Sequence, residues 1–99
     1  MDKQIEQQYW DLVESIIENV NAACEEHELG LVNGALMQAA ARFNAFYLAA
    51  SSESRKDLKE DREGSVRDFG AEYKKMLADN LDDYIENYKV YMRDESETE

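Results

Sequence analysis

One stretch of this chain is almost free of charge, although a third of all residues are charged. It reads GALMQAAARFNAFYLAA, residues 34–50, and its strongly polar side chains are Gln38, Arg42 and Asn44. A soluble helix that is apolar around most of its circumference is usually buried against several neighbours. The segment is too short, and is interrupted by an arginine, so it does not suit a membrane span. We therefore expect a core helix, against which the other segments pack.

The segment before it predicts an amphipathic helix of about 23 residues. Asp2 is a candidate N-cap, and His27 is expected in the last turn, where an imidazole suits the helix dipole. Gly30 offers a left-handed stop. Apolar side chains recur at three- and four-residue steps, at Ile5, Tyr9, Leu12, Val13, Ile16, Ile17, Val20, Ala23 and Cys24.

The boundaries of the following helices are predicted from capping residues. Asn33 is a good N-cap for the second helix, which is expected to end at about Ser51. Ser54 followed by Asp57 resembles a capping box, with Asp in place of the usual Glu or Gln. A third helix therefore begins at about residue 55.

The length of this third helix is the open question of the fold. The apolar periodicity continues without interruption from Val66 to Met92. A single helix over 55–92 would be roughly 57 Å long, far longer than the first two. Asp79 or Asn80 can cap a new helix, and we expect a break there.

The composition agrees with a helical protein. The 99 residues include no proline and four glycines, which suits helices better than turn-rich folds. We predict an all-α antiparallel bundle of three helices, or four if the last one breaks near Asn80, with a largely buried Ala-rich central helix. Residues 1–93 are expected to form a single helical domain, and residues 94–99 a disordered acidic tail.

The net charge of −12 excludes several classes of partner. The acids are concentrated at the two ends, with a net charge of −7 over residues 1–30 and −6 over residues 76–99. Nucleic-acid backbones and anionic membrane surfaces should be repelled, so we expect neither as a partner. With one cysteine, no secretion signal and no membrane span, a cytoplasmic location is expected.

Arg42 and Asn44 are predicted to be structural anchors. At 100° per residue, Asn44 lies about 200° from Arg42, so they do not form one cluster. A buried arginine needs a partner because its guanidinium cannot lose its proton. We expect Arg42 to pair with a carboxylate, the candidates by position being Glu14, Glu18 and Asp83. Asn44 is expected to form a hydrogen bond between packed helices.

The residues that carry catalytic or metal chemistry are sparse. Cys24 and His27 share a helix face, but a zinc site normally needs four ligands and no second Cys or His exists. A lone histidine also excludes a two-histidine di-iron site. No phosphate-binding glycine loop is present, and no pair of carboxylates stands out. We therefore predict no enzyme activity, no metal and no cofactor.

Aromatic side chains mark a possible interface. Tyr84, Tyr88 and Tyr91 follow helical spacing, and Trp10 lies near the N-terminus. Tyrosine and tryptophan suit surfaces that are partly apolar and partly wet, as interfaces often are. The alternative interpretation is the rim of the core.

Two stretches, AAARFNAFYLAASS and YKKMLADNLDDYIENY, resemble a family of small proteobacterial proteins classed as a domain of unknown function. The resemblance extends from the region of Trp10 to about Met92. It implies a small bacterial protein and brings no activity, ligand or catalytic residue.

The sequence thus favours a non-catalytic acidic helical interaction protein that self-associates or binds a protein partner. The alternative is a small-ligand or metal-binding helical module whose pocket is lined by Arg42, Asn44 and tyrosines. An acidic mimic of nucleic acid is a third possibility that follows from the charge.

Overall fold

The computed structural model describes residues 2–92. Every regular element in that range is a helix, which confirms the all-α class. The elements are α1 (Lys3–Cys24), α2 (Leu29–Ser51), α3 (Arg55–Glu86) and the short α4 (Tyr88–Tyr91). The tail predicted over residues 94–99 lies outside the described residues.

The helices fall into two compact units, Met1–Ser51 with α1 and α2, and Ser52–Glu99 with α3 and α4. The single domain expected over residues 1–93 stays a prediction. No helix in the described part of the chain combines the length and apolarity that crossing a bilayer requires.

The start of α1 is as predicted, but its end is not. Asp2 is extended, and its Oδ1 accepts a 2.7 Å hydrogen bond from the backbone N–H of Gln4. The helix ends at Cys24, so His27 lies in the connection rather than in the last turn. The amides of Glu26 and His27 still donate to the carbonyl of Ala23, which satisfies an acceptor that the helix end leaves free.

The predicted stop at Gly30 and N-cap at Asn33 are both wrong. Helix α2 begins at Leu29 and includes both residues, and no glycine in the described range has a positive φ. The acids Glu25, Glu26 and Glu28 precede this start. Negative charge there suits the unpaired N–H groups and the positive end of the helix dipole. Helix α2 therefore begins one turn earlier than its best capping residue suggests.

The remaining boundaries follow local side-chain bonds. Helix α2 ends at Ser51 as predicted. Ser54 caps α3, because its Oγ accepts from the amide of Asp57 at 3.1 Å. Half of the predicted capping box is thereby confirmed.

The predicted break near Asn80 is wrong. The Asn80 Nδ2 donates to the carbonyl of Met76 at 2.8 Å, one turn back in the same helix, so Asn80 does not cap a new one. Helix α3 continues to Glu86, about 48 Å in all. The break comes at Asn87, whose Nδ2 donates to the Asp83 carbonyl at 3.2 Å.

Packing within the first unit is confined to the neighbourhood of the turn between α1 and α2. Val32 is the one buried apolar residue in the described range, with 8% of its surface exposed. Half-buried apolar residues on the parts of the two helices that flank the connection are Val20, Ala23, Cys24 and Leu36. The loss of exposure in this unit is therefore concentrated around the connection between α1 and α2.

The bundle arrangement and the largely buried central helix are not confirmed. Beyond the turn, Phe43 and Phe46 of α2 are 64% and 63% exposed. The physical reason is that α1 covers α2 only at the end that carries the turn. A helix that is apolar around most of its circumference is thus left largely uncovered within its own unit.

Candidate functional site

The apolar face of α1 is exposed along most of its length. Its large side chains lie at the three- and four-residue steps that the sequence predicts. Trp10, proposed from the sequence as an interface residue, is 55% exposed. Its ring meets that of Tyr9 edge-on, with 5.0 Å between the ring centroids. The remaining exposed apolar side chains of this face include Ile5, Leu12, Ile16 and Ile17.

The predicted anchors on α2 have no side-chain partner among residues 2–92. Arg42 is exposed, and no described carboxylate lies within ion-pair distance of it. Asn44 is half-buried, and its amide forms no hydrogen bond to another described side chain. Glu14 and Glu18, the two candidate partners in the same unit, form no ion pair with Arg42.

The aromatic side chains of α2, which a core helix would bury, are exposed. Phe43, Phe46 and Tyr47, named here the α2 aromatic patch, are between 55% and 64% exposed. The centroids of the two phenylalanine rings lie 5.8 Å apart, and the ring planes are inclined by 47° to each other. One signal in the sequence points to this surface: a helix that is apolar on all sides needs more neighbours than one short chain supplies.

The tyrosines near the C-terminus form a cluster at the junction of α3 and α4. The rings of Tyr84 and Tyr91 are stacked, with 4.2 Å between their centroids and an angle of 22° between their planes. The Tyr91 hydroxyl donates to Asp83 Oδ2 at 2.6 Å, and Asn87 Nδ2 donates to Asp83 Oδ1 at 2.9 Å. One carboxylate therefore holds both the residue at the helix break and the last residue of α4.

The same contact changes the acidity of the phenol. The hydrogen bond to Asp83 raises the pKa of Tyr91, the negative charge of that carboxylate raises it further, and slight desolvation and the nearby Tyr84 add to the effect. All four causes raise the pKa of Tyr91 because each disfavours the phenolate. The Tyr91 hydroxyl is therefore a hydrogen-bond donor at neutral pH.

Tyr88, the third predicted tyrosine, lies apart from this stacked pair. It is 46% exposed and helps to line an open depression of about 380 Å³. The other lining residues are Ile85, Glu86, Asn87, Lys89 and Val90. Neither Arg42 nor Asn44 contributes to this depression, so the pocket proposed for a small ligand does not coincide with it.

The candidate metal residues are not brought together. Cys24 is a half-buried free thiol at the end of α1, and His27 is exposed in the connection. Among residues 2–92, no group of three or more His, Cys, Asp or Glu side chains is placed to hold a metal ion.

The family of the chain is defined by its sequence. A family model described as "Protein of unknown function (DUF3144)" matches residues 9–85. The chain therefore belongs to this family, as its resemblance to a domain of unknown function implies. The match covers most of α1, all of α2 and nearly all of α3, and so includes Trp10, the α2 aromatic patch and Tyr84. Comparisons with curated proteins and with solved structures gave no match.

Proposed function

We propose that the chain is a non-catalytic acidic interaction protein of the bacterial cytoplasm that self-associates through exposed helix faces. The observation that carries this proposal is the extent of exposed apolar surface. In the described range one apolar side chain is buried, whereas large apolar side chains are exposed on all four helices.

The energetics of folding support self-association. Ordering a residue costs about 1–2 kcal/mol of backbone entropy, and burial of apolar surface is the dominant compensation. Soluble monomers rarely leave apolar patches larger than a few hundred Å² in contact with water. Helices that expose this much apolar surface are characteristic of subunits that fold as they assemble. The predicted bundle with a buried central helix is accordingly proposed for the assembly.

The predicted anchor and interface residues take their roles within that assembly. Arg42 and Asn44 are proposed to pair with groups that the assembly brings near α2. Trp10, Tyr84, Tyr88 and Tyr91 are proposed as parts of its interfaces, because each presents an exposed aromatic ring. The acidic ends keep the assembly soluble and suit a basic protein surface.

Light scattering during size-exclusion chromatography tests this proposal. We expect a mass that is a multiple of 11.5 kDa, together with a cooperative unfolding transition. A folded monomer at high protein concentration, with no protein captured from a lysate of its host, would contradict the proposal.

A further inference from the structure

The parts of α1 and α2 that lie away from their connection are named here the α1 arm and the α2 arm. The apolar side chains of both arms are exposed. The α1 arm presents an apolar face with Ile5, Tyr9 and Leu12, which are 53%, 44% and 64% exposed. The other arm carries the α2 aromatic patch. Both arms are long, since α1 has 22 residues and α2 has 23. Each arm therefore offers a complete apolar face to another helix of similar length.

The charges of the two arms are complementary. Helix α1 carries one basic side chain, Lys3, and four acidic ones. Helix α2 carries no acid, and its single charge is that of Arg42. Arg42 precedes Phe46 by four residues, so it lies at the edge of the α2 aromatic patch. Two α1 helices repel each other, whereas α1 against α2 brings opposite charges together.

The exposed apolar area of the two arms is close to that of a standard protein interface. An aromatic side chain has about 200 Å² of surface, so the three rings of the patch expose roughly 360 Å². The apolar side chains of the α1 arm add a similar amount, which gives roughly 700 Å² on each chain. A standard interface buries about 800 Å² on each partner. The two arms together therefore approach the size of a specific interface.

We propose that the α2 aromatic patch is covered by the α1 arm of a second copy of this chain. The contact is reciprocal, so two first units form one symmetric four-helix body. Arg42 then faces the acidic helix of the other copy. This inference rests on the proposed self-association and specifies the surface through which it occurs.

Isotope-filtered NMR on the unaltered full-length protein tests the contact directly. Isotopically labelled and unlabelled copies are mixed, and only contacts between different copies are recorded. We expect contacts from the rings of Phe43 and Phe46 to methyl groups of the α1 arm, such as those of Ile5 and Leu12. Contacts from these rings only to their own chain, or only to α2 or α3 of the other copy, would overturn the proposal.

A pair of substitutions provides an independent test. Phe46→Glu places a carboxylate against the acidic α1 helix, and we expect it to weaken self-association roughly 30-fold or more. Val66→Glu, at an apolar position of the second unit that is 61% exposed, is the matched control and should leave the dissociation constant within about twofold. The reverse pattern would overturn the assignment of the interface to α2.

These outcomes separate the two proposals. A folded wild-type monomer contradicts both self-association and the α2 interface. A wild-type dimer that withstands Phe46→Glu but dissociates with Val66→Glu supports self-association and refutes only the α2 interface.

Discussion

Tyr91 and Asp83 connect α4 to the end of α3 through a 2.6 Å hydrogen bond from the phenol to Oδ2. The bond spans eight residues, and its geometry depends on the helix break at Asn87, whose amide donates to the other oxygen of the same carboxylate. The stacked ring of Tyr84 adds a second contact to Tyr91. The junction is therefore held by side chains as well as by the backbone.

The first prediction concerns pH. Because the pKa of Tyr91 is raised in the folded chain, the contact contributes stability that is fully present below the ordinary phenol pKa of about 10. This contribution is lost as the pH rises through the higher, folded value. Titration of the Tyr91 ring by NMR should show the upward shift, and Asp83→Asn should reduce it. An identical midpoint in the two proteins would show that Asp83 is not its main cause.

The second prediction concerns the start of α3. Ser54→Ala removes the acceptor for the amide of Asp57, and we expect the free energy of unfolding to fall by about 1 kcal/mol. Ser54→Asp restores an acceptor and should recover most of the loss. Urea denaturation followed by circular dichroism measures both. Equal midpoints for wild type and Ser54→Ala would show that the cap is not formed in solution.

The third prediction tests where α2 begins. Gly30 lies inside the helix, without a positive φ, and a Cβ added there meets no atom within 4 Å. Gly30→Ala should therefore stabilise the protein by up to about 1 kcal/mol, at a fixed protein concentration. The control is Gly64→Ala in α3, where the added Cβ lies 3.5 Å from the flexible Arg67 side chain. Destabilisation by Gly30→Ala but not by Gly64→Ala would indicate that Gly30 adopts a left-handed conformation in solution and lies outside α2.

The fourth prediction concerns salt. Two copies with a net charge of −12 each repel one another, and added salt screens that repulsion. The dissociation constant for self-association should therefore fall between about 0.05 M and about 0.5 M salt, because the Debye length shortens several-fold. Sedimentation equilibrium measures the change. Weaker association at high salt would show that ion pairs, rather than the apolar faces, dominate the interface.

Local signals in the sequence predicted much of the helical structure. The caps at Asp2 and Ser54 and the end of α2 at Ser51 are confirmed, because each depends on residues within one turn. The errors at Gly30 and Asn80 have a common cause. Both are residues that often end or begin helices, and here their neighbours keep them within one.

The candidate surfaces were harder to predict because exposure is not a local property. The apolar content of residues 34–50 shows that they need to be covered, but not which chain covers them. Neighbours from the same chain would bury Phe43 and Phe46 in the core, whereas both rings are exposed. Helical spacing relates Tyr84, Tyr88 and Tyr91 in the sequence, but the bond from Tyr91 to Asp83 follows from the helix break at Asn87, which no local signal predicted.

Val32 is the single buried side chain among residues 2–92, and this has a consequence for the behaviour of the protein at different abundances. If most of the apolar surface is covered only after copies meet, dilution shifts the balance toward unfolded chains, and the melting temperature rises with protein concentration. Newly made copies would then be substrates for proteases until enough of them accumulate. The amount of intact protein would respond more than proportionally to its rate of synthesis.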